Sequence, residues 1–153
     1  MRERDLIKSI AAMVGPASGN LLLGIGDDCA VIQKSSDRVW LVTMDTLVET
    51  VHFDCRWHGP EKIGRKAVSV NVSDIAAMGG TPVFVLLSLG LPSGFDKKWF
   101  FTFSKGLTSA CRNYGCQLIG GDTVRSPDRI NISVTVIGEA NLRQVLYRHG
   151  GKA

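Results

Sequence analysis

Residues 59–89 read GPEKIGRKAVSVNVSDIAAMGGTPVFVLLSL, and this stretch decides the fold class. Gly59-Pro60 predicts a helix start, because proline fits the first turn of a helix. Gly79-Gly80 predicts the end of that helix. The apolar run 83–89 that follows favours a strand buried on both faces. A helix followed directly by such a strand indicates a sheet with helices packed against it.

The flanking segments extend this pattern in both directions. Apolar spacing predicts further helices over residues 3–14 and 95–114. Apolar, alternating and β-branched residues predict strands over residues 29–32, 39–44, 116–119 and 130–136. The last of these alternates apolar and polar residues, so we expect it to be half exposed. The whole order is that of an α/β protein with one sheet.

Composition narrows the class of protein. The chain has 153 residues, 44% of them hydrophobic, which is the size of one domain with a real core. The net charge of +4 is scattered, which argues against a nucleic-acid binder. Four cysteines without CxxC spacing indicate reduced thiols, and no apolar run is long enough for a membrane span. We therefore expect a cytoplasmic protein.

Five aspartates lie beside apolar or glycine-rich segments: Asp27, Asp28, Asp45, Asp74 and Asp122. Taken singly, an aspartate after a strand is usually a turn former or a helix cap. Several carboxylates brought together near a core repel one another, however, and a divalent cation relieves that repulsion. Carboxylates and hydroxyls are the ligands of Mg²⁺, which usually also holds substrate phosphates.

Asp74 lies inside a predicted helix, three residues after Asn71, so both side chains point the same way. Such a polar pair on an apolar face is either a satisfied hydrogen-bond pair or the lining of a site, and the sequence leaves both open. The loop at Gly24–Cys29 fails both GxGxxG and the P-loop pattern, although its glycines allow close approach to a phosphate. His52 and Arg148 are unremarkable by themselves.

Four motifs occur in order and in register. They are Gly24-Ile-Gly-Asp-Asp-Cys-Ala30, Thr43-Met-Asp-Thr-Leu-Val48 with His52-Phe53, Lys66-Ala-Val-Ser-Val-Asn-Val-Ser-Asp-Ile-Ala-Ala-Met-Gly79, and Leu118-Ile-Gly-Gly-Asp-Thr-Val-Arg125. Together they resemble the N-terminal half of the thiamine-monophosphate kinase family. The resemblance implies a mixed β-sheet (α/β or α+β) with helices on one face, the N-terminal domain of the aminoimidazole ribonucleotide synthetase-like fold.

The resemblance also implies roles for individual residues. That family transfers the γ-phosphate of ATP to thiamine monophosphate and uses several Mg²⁺ ions. The implied metal ligands are Asp28, Thr43, Met44, Asp45, Asp74 and Asp122, with Asp27 a lesser candidate. Gly121, Asp122 and Arg148 would bind ATP, and His52 would lie at the thiamine phosphate. A general base is dispensable, because the acceptor phosphate is already ionised.

The family resemblance further implies a homodimer in which two sheets meet. The family has two domains, so residues 1–153 are expected to be a single ATP- and Mg²⁺-binding domain without the C-terminal one, and inactive or nearly so alone. Two alternatives stay open. One is another ATP-dependent synthetase of the superfamily, of the selenophosphate, aminoimidazole ribonucleotide or hydrogenase-maturation type. The other is a non-catalytic dimerisation module.

Overall fold

The computed structural model describes residues 2–151. Its three α-helices are α1 (Glu3–Val14), α2 (Pro60–Ala77) and α3 (Lys97–Tyr114). Its six strands are β1 (Leu21–Leu23), β2 (Ala30–Gln33), β3 (Arg38–Val48), β4 (Thr81–Pro92), β5 (Gln117–Ser126) and β6 (Asn131–Asn141). Two short 3₁₀ turns, Leu142–Gln144 and Arg148–Gly150, follow β6.

The six strands form one mixed sheet in the order β1-β2-β3-β6-β4-β5. All neighbours are antiparallel except β4 and β5, which are parallel and joined through α3. A parallel pair needs a crossover connection, and α3 supplies it. The mixed sheet predicted from the sequence is confirmed.

Helices α2 and α3 cover one face of the sheet and pack closely against each other. Gly64 and Gly106 make that contact possible. A Cβ at Gly64 would lie 2.2 Å from the carbonyl oxygen of Phe103, and one at Gly106 would lie 2.0 Å from that of Glu61. The missing side chains therefore let the two backbones touch, and they bring α3 over the parallel end of the sheet.

The core lies between these helices and one face of the sheet. Alternate residues of β6 are buried there, including Ile132, Val134 and Val136. The expectation that residues 83–89 form a strand buried on both faces is wrong. Val85 and Leu89 are buried, but Ser88 on the other face is exposed. A continuous apolar run does not by itself report whether a second layer covers the strand.

Two strands extend further than expected, and each carries an aspartate within it. Residue Asp45 lies inside β3 and pairs in register with Val134 of β6. Similarly, Asp122 lies inside β5 and pairs with Ser88 of β4, rather than in a loop after a short strand. Pairing with a long neighbouring strand outweighs the low strand propensity of aspartate.

Two surfaces of the molecule expose apolar side chains. The face of the sheet opposite the helices carries half-buried and exposed residues, namely Ile32, Trp40, Val42, Met44, Phe84, Leu86 and Ile137; we call this the open face. Helix α1 buries none of its residues.

Within residues 2–151, no helix combines the length and the hydrophobicity that crossing a membrane requires. All four cysteines are free.

Candidate functional site

A groove of about 1000 Å³ opens between α1, the loop ahead of β2 and the middle of β3. The helix-facing side of β3 continues from apolar Leu41 to polar Thr43 and Asp45, because side chains alternate along a strand. The C-terminal half of α2 adds Asp74 from above that side. The site is therefore the place where the apolar core gives way to polar residues.

Thr43 and Asp74 join β3 to α2 at the floor of the groove. The buried Thr43 hydroxyl donates to Asp74 Oδ2 at 2.9 Å. Met44 points away, since its neighbours on the strand face the helices and its own side chain is 65% exposed on the open face. Met44 nevertheless lines the rim of the groove, together with Val42 of the same face.

Asn71 and Asp74, the polar pair on α2, have different surroundings. The fully buried Asn71 donates from Nδ2 to the carbonyl oxygen of Ala67 at 3.2 Å, within its own helix. Its Oδ1 has no partner among residues 2–151. Asp74 lines the groove and Asn71 does not. Of the two interpretations left open by the sequence, Asp74 fits the site lining and Asn71 fits an internal helix contact.

The loop between β1 and β2 supplies two more carboxylates. Asp27 is tied to the backbone, since its Oδ1 accepts from the amide of Asp28 at 2.9 Å and its Oδ2 accepts from that of Arg148 at 3.2 Å. Asp28 instead bonds the guanidinium of Arg148 through its side chain. Asp27 therefore shapes the loop, while Asp28 and Arg148 present their charges to the groove.

Carboxylates influence one another within the groove. Burial raises the pKa of Asp74 above its ordinary value, and the neighbouring carboxylates of Asp45 and Asp28 raise it further. Burial likewise raises the pKa of the Cys29 thiol to about 12, with Asp74 and Asp28 adding to the rise. Cys29 is therefore a neutral thiol at neutral pH and no nucleophile.

The donor set fits Mg²⁺ as a metal shared with a substrate. Within residues 2–151, no three Asp, Glu, His or Cys side chains are clustered tightly enough to hold a metal ion by themselves. Mg²⁺ is usually bound by one or two carboxylates together with waters and substrate phosphates, rather than by a cage of protein ligands. Asp28, Asp45 and Asp74 around one groove, with the Thr43 hydroxyl, supply that kind of oxygen set.

Three residues implied by the resemblance lie outside the groove lining. Gly121 and Asp122 line a separate pocket of about 430 Å³ beside Leu87 and Leu118, on the edge strand β5. His52 lies in the exposed loop after β3, where its Nδ1 accepts from the amide of Val48 at 3.0 Å. The groove thus unites Asp28, Thr43, Met44, Asp45, Asp74 and Arg148, and leaves these three apart.

Sequence reasoning missed the contribution of α1. Arg4 and Lys8 line the groove together with Ile7. Arg4 and Lys8 are four residues apart and therefore lie on the same side of the helix. That spacing was visible in the sequence, but nothing in it indicated which element α1 would face. The two side chains bring positive charge to a groove rich in carboxylates.

Chemically, the groove suits a polyanion bound through a cation. Carboxylates would hold the metal, and Arg148, Arg4 and Lys8 offer direct charge to phosphate oxygens. With Cys29 buried and protonated, the described lining offers positioning and charge neutralisation rather than covalent catalysis.

A solved structure has the same overall architecture. The structure of AaThiL complexed with AMPPCP and TMP superposes with a TM-score of 0.87 at 38% identity. The superposition covers 99% of this chain and 47% of that one. A chain 38% identical over this length shares the fold, so the observed architecture is that of a known nucleotide-complexed protein.

Curated relatives are also similar to this chain in sequence. Thiamine-monophosphate kinase of Bacillus subtilis (strain 168) is 43% identical over 97% of this chain and 45% of its own length. The Aquifex aeolicus (strain VF5) protein of the same name is 44% identical over 75% of this chain and 37% of its own. This chain thus spans less than half the length of these relatives, and the resemblance found in the sequence is confirmed.

A family model described as AIR synthase related protein, N-terminal domain, matches residues 26–140. The match contains every aspartate of the groove and all of the sheet except β1 and the last residue of β6. It covers well over half of the 153 residues. The chain therefore belongs to the family of AIR synthase related proteins and carries their N-terminal domain.

Proposed function

We propose that this chain is the ATP- and Mg²⁺-binding half of a thiamine-monophosphate kinase, which transfers the γ-phosphate of ATP to thiamine monophosphate to give thiamine diphosphate. The observation that carries the proposal is the groove, where Asp28, Asp45 and Asp74 come from three different elements beside Arg148. The names of the relatives and the complex of AaThiL with AMPPCP and TMP support these two substrates.

Phosphoryl transfer asks the protein for positioning and charge neutralisation more than for a nucleophile. In the proposed complex, the three aspartates hold Mg²⁺, with the Thr43 hydroxyl or the Met44 backbone oxygen beside them. Bound Mg²⁺ would neutralise the charge that develops on the phosphates. Arg148 orients phosphate oxygens through its planar guanidinium. No general base is required, because the acceptor phosphate is ionised at neutral pH.

Other parts of the proposal rest on the family resemblance. Gly121 and Asp122 of β5 belong to the ATP site, Asp122 also as a metal ligand, and His52 lies at the thiamine phosphate. Residues 1–153 form one domain. We also propose that the protein is cytoplasmic and that it forms a homodimer through the open face. The half-buried apolar residues of that face, including Val42 and Ile137, support a protein partner there.

Calorimetric titration with a non-hydrolysable ATP analogue tests the nucleotide site. We expect binding that depends on Mg²⁺, and we expect Asp45→Asn to weaken it by at least about tenfold, the scale seen even for residues that only orient metal ligands. Asp128→Asn is the matched control, because that carboxylate is 75% exposed and outside the groove. If the affinity for the analogue changes neither with Mg²⁺ nor with Asp45→Asn, the proposed site is refuted.

The acceptor is tested with the complete protein. We expect turnover with thiamine monophosphate and ATP. Turnover with selenide or an aminoimidazole precursor, and none with thiamine monophosphate, would assign the protein to another synthetase of the superfamily.

A further inference from the structure

Arg148 places a cation directly on carboxylates of the groove. Its Nη2 bonds Asp28 Oδ1, and its Nε lies 3.8 Å from Asp27 Oδ1. These contacts join segments 120 residues apart. Because the groove gathers several aspartates whose charges repel, this guanidinium acts as their counter-charge.

The backbone and the side chain of Arg148 are held very differently. The Arg148 amide donates to Asp27 Oδ2 at 3.2 Å, and two residues earlier the Leu146 amide donates to the Met78 carbonyl oxygen at 3.1 Å. The chain is therefore fixed at the mouth of the groove. The Arg148 side chain, in contrast, is 64% exposed, so breaking its ion pair with Asp28 costs little free energy.

We propose that Arg148 is an exchangeable counter-ion, which covers Asp28 in the ligand-free protein and moves to phosphate oxygens when Mg²⁺ and nucleotide bind. The inference rests on the proposed function, in which Asp28 is a metal ligand. Covering Asp28 opposes the binding of Mg²⁺ alone. Bound nucleotide offers the guanidinium another anionic partner and so frees the carboxylate. Metal and nucleotide must then favour each other's binding, and by linkage the effect is reciprocal.

A purely structural role for Arg148 predicts the opposite sign for one measurement. If the contact with Asp28 only orders the loop, removing the guanidinium disorders the metal ligands and weakens Mg²⁺ binding. If the guanidinium competes with the cation, removing it strengthens Mg²⁺ binding in the absence of nucleotide. The affinity for Mg²⁺ alone therefore separates the two roles without any assay of activity.

The experiment compares the parent chain with Arg148→Met, which keeps an unbranched apolar stem without the charge. Mg²⁺ is titrated calorimetrically, alone and in the presence of a non-hydrolysable ATP analogue. We expect Arg148→Met to bind Mg²⁺ alone about two- to fivefold more tightly, the range expected for loss of a partly exposed ion pair. We expect the analogue to enhance Mg²⁺ binding less than in the parent, because only the direct ligation of the metal by phosphate oxygens then couples the two. Arg148→Lys, which keeps the charge but not the fork, should lie between them.

Arg143→Met is the matched control, since Arg143 lies in the preceding 3₁₀ turn and does not line the groove. Arg143→Met should bind Mg²⁺ with the same affinity as the parent, both alone and with the analogue. Thermal unfolding checks the fold, and Mg²⁺ should raise the melting temperature of Arg148→Met more than that of the parent. An unchanged or weaker affinity for Mg²⁺ alone in a folded Arg148→Met overturns the inference.

That failure is distinct from failure of the proposed function. If the parent binds the analogue in a Mg²⁺-dependent way while Arg148→Met leaves Mg²⁺ binding unchanged, only the counter-ion role is lost. If no chain binds Mg²⁺ or the analogue, the proposed site is lost and the inference with it.

Discussion

At the scale of single residues, the ionised Asp74 would favour the binding of a cation but lowers the stability of the ligand-free chain. Its carboxylate accepts from Thr43, yet burial and the charges of Asp45 and Asp28 still raise its pKa. A carboxyl whose pKa is higher in the folded chain holds its proton more tightly there than in the unfolded chain. Its stabilising effect is thus full at low pH and is lost as the pH rises through the folded pKa. At neutral pH the ionised Asp74 is a cost that a bound cation would offset.

We expect Asp74→Asn to stabilise the ligand-free chain at pH 7 and to weaken Mg²⁺-dependent nucleotide binding. The amide removes the charge and keeps an oxygen for the Thr43 hydroxyl. Because Asp74 is only half-buried, the gain should stay below about 1 kcal/mol, or roughly 2–4 °C in melting temperature. The gain should vanish near pH 3, where the parent carboxyl is protonated as well. Thermal unfolding across pH measures it.

Asp37→Asn provides the comparison, because Asp37 is an exposed carboxylate in the turn before β3. Asp37→Asn should change neither the melting temperature nor the Mg²⁺-dependent binding of nucleotide. Equal melting temperatures for Asp74→Asn and the parent at pH 7 would contradict the charge argument, and undiminished nucleotide binding would remove Asp74 from the metal site.

Residue chemistry made part of this site predictable. Aspartates beside apolar segments are costly unless they serve a purpose, and this argument selected Asp27, Asp28, Asp45, Asp74 and Asp122 from the sequence. The structure places all of them except Asp122 in the groove lining. The contact of Arg148 with Asp28 could not be predicted, because nothing local relates two residues 120 positions apart. Only the family resemblance indicated Arg148, and it indicated a role with ATP rather than this contact.

At the scale of elements, helix ends were predictable and strand ends were not. The predicted helix 3–14 coincides with α1, and glycine after Tyr114 ends α3 in the left-handed region. These signals act within one turn of chain. Strands β3 and β5 outrun their expected ends because their lengths depend on pairing partners far along the chain, such as β6 for β3.

Gly121 tests one of these strands. It has φ +150°, and a Cβ there would lie 1.7 Å from the carbonyl oxygen of Leu87 on β4. We therefore expect Gly121→Ala to destabilise the chain by about 2 kcal/mol or more, through backbone strain and loss of the β4–β5 pairing. Urea unfolding measures this loss, and it requires no nucleotide. A role in the ATP site alone would leave the stability unchanged.

Gly120→Ala is the adjacent control. A Cβ at Gly120 meets only Leu86 Cδ2, at 3.9 Å, and its φ lies outside the left-handed region. Its stability should stay within about 0.5 kcal/mol of the parent. If the two alanine variants unfold alike, the close approach of β5 to β4 is not what requires glycine at position 121.

At the scale of the whole molecule, α2 and α3 pack against one face of the sheet, and within residues 2–151 no comparable layer covers the open face. Ile137 lies at the middle of the open face on β6, in register with Val42 of β3 and Phe84 of β4. A sheet that buries one face against helices and leaves apolar side chains on the other is typical of a protein that associates through that second face. This arrangement supports the proposed homodimer.

We expect Ile137→Lys to convert a dimer of this chain into a monomer that remains folded. A lysine at the centre of an apolar interface loses hydration without gaining a partner, which should raise the dimer dissociation constant by at least about tenfold. In the monomer, its stem can lie along Val42 and Phe84 while the ammonium stays in water. Sedimentation velocity over a range of concentrations measures the change. Phe101→Lys, at a 68% exposed position on α3, should leave the dimer intact. A monomeric parent, or equal dissociation by both variants, would show that the open face is not where two copies meet.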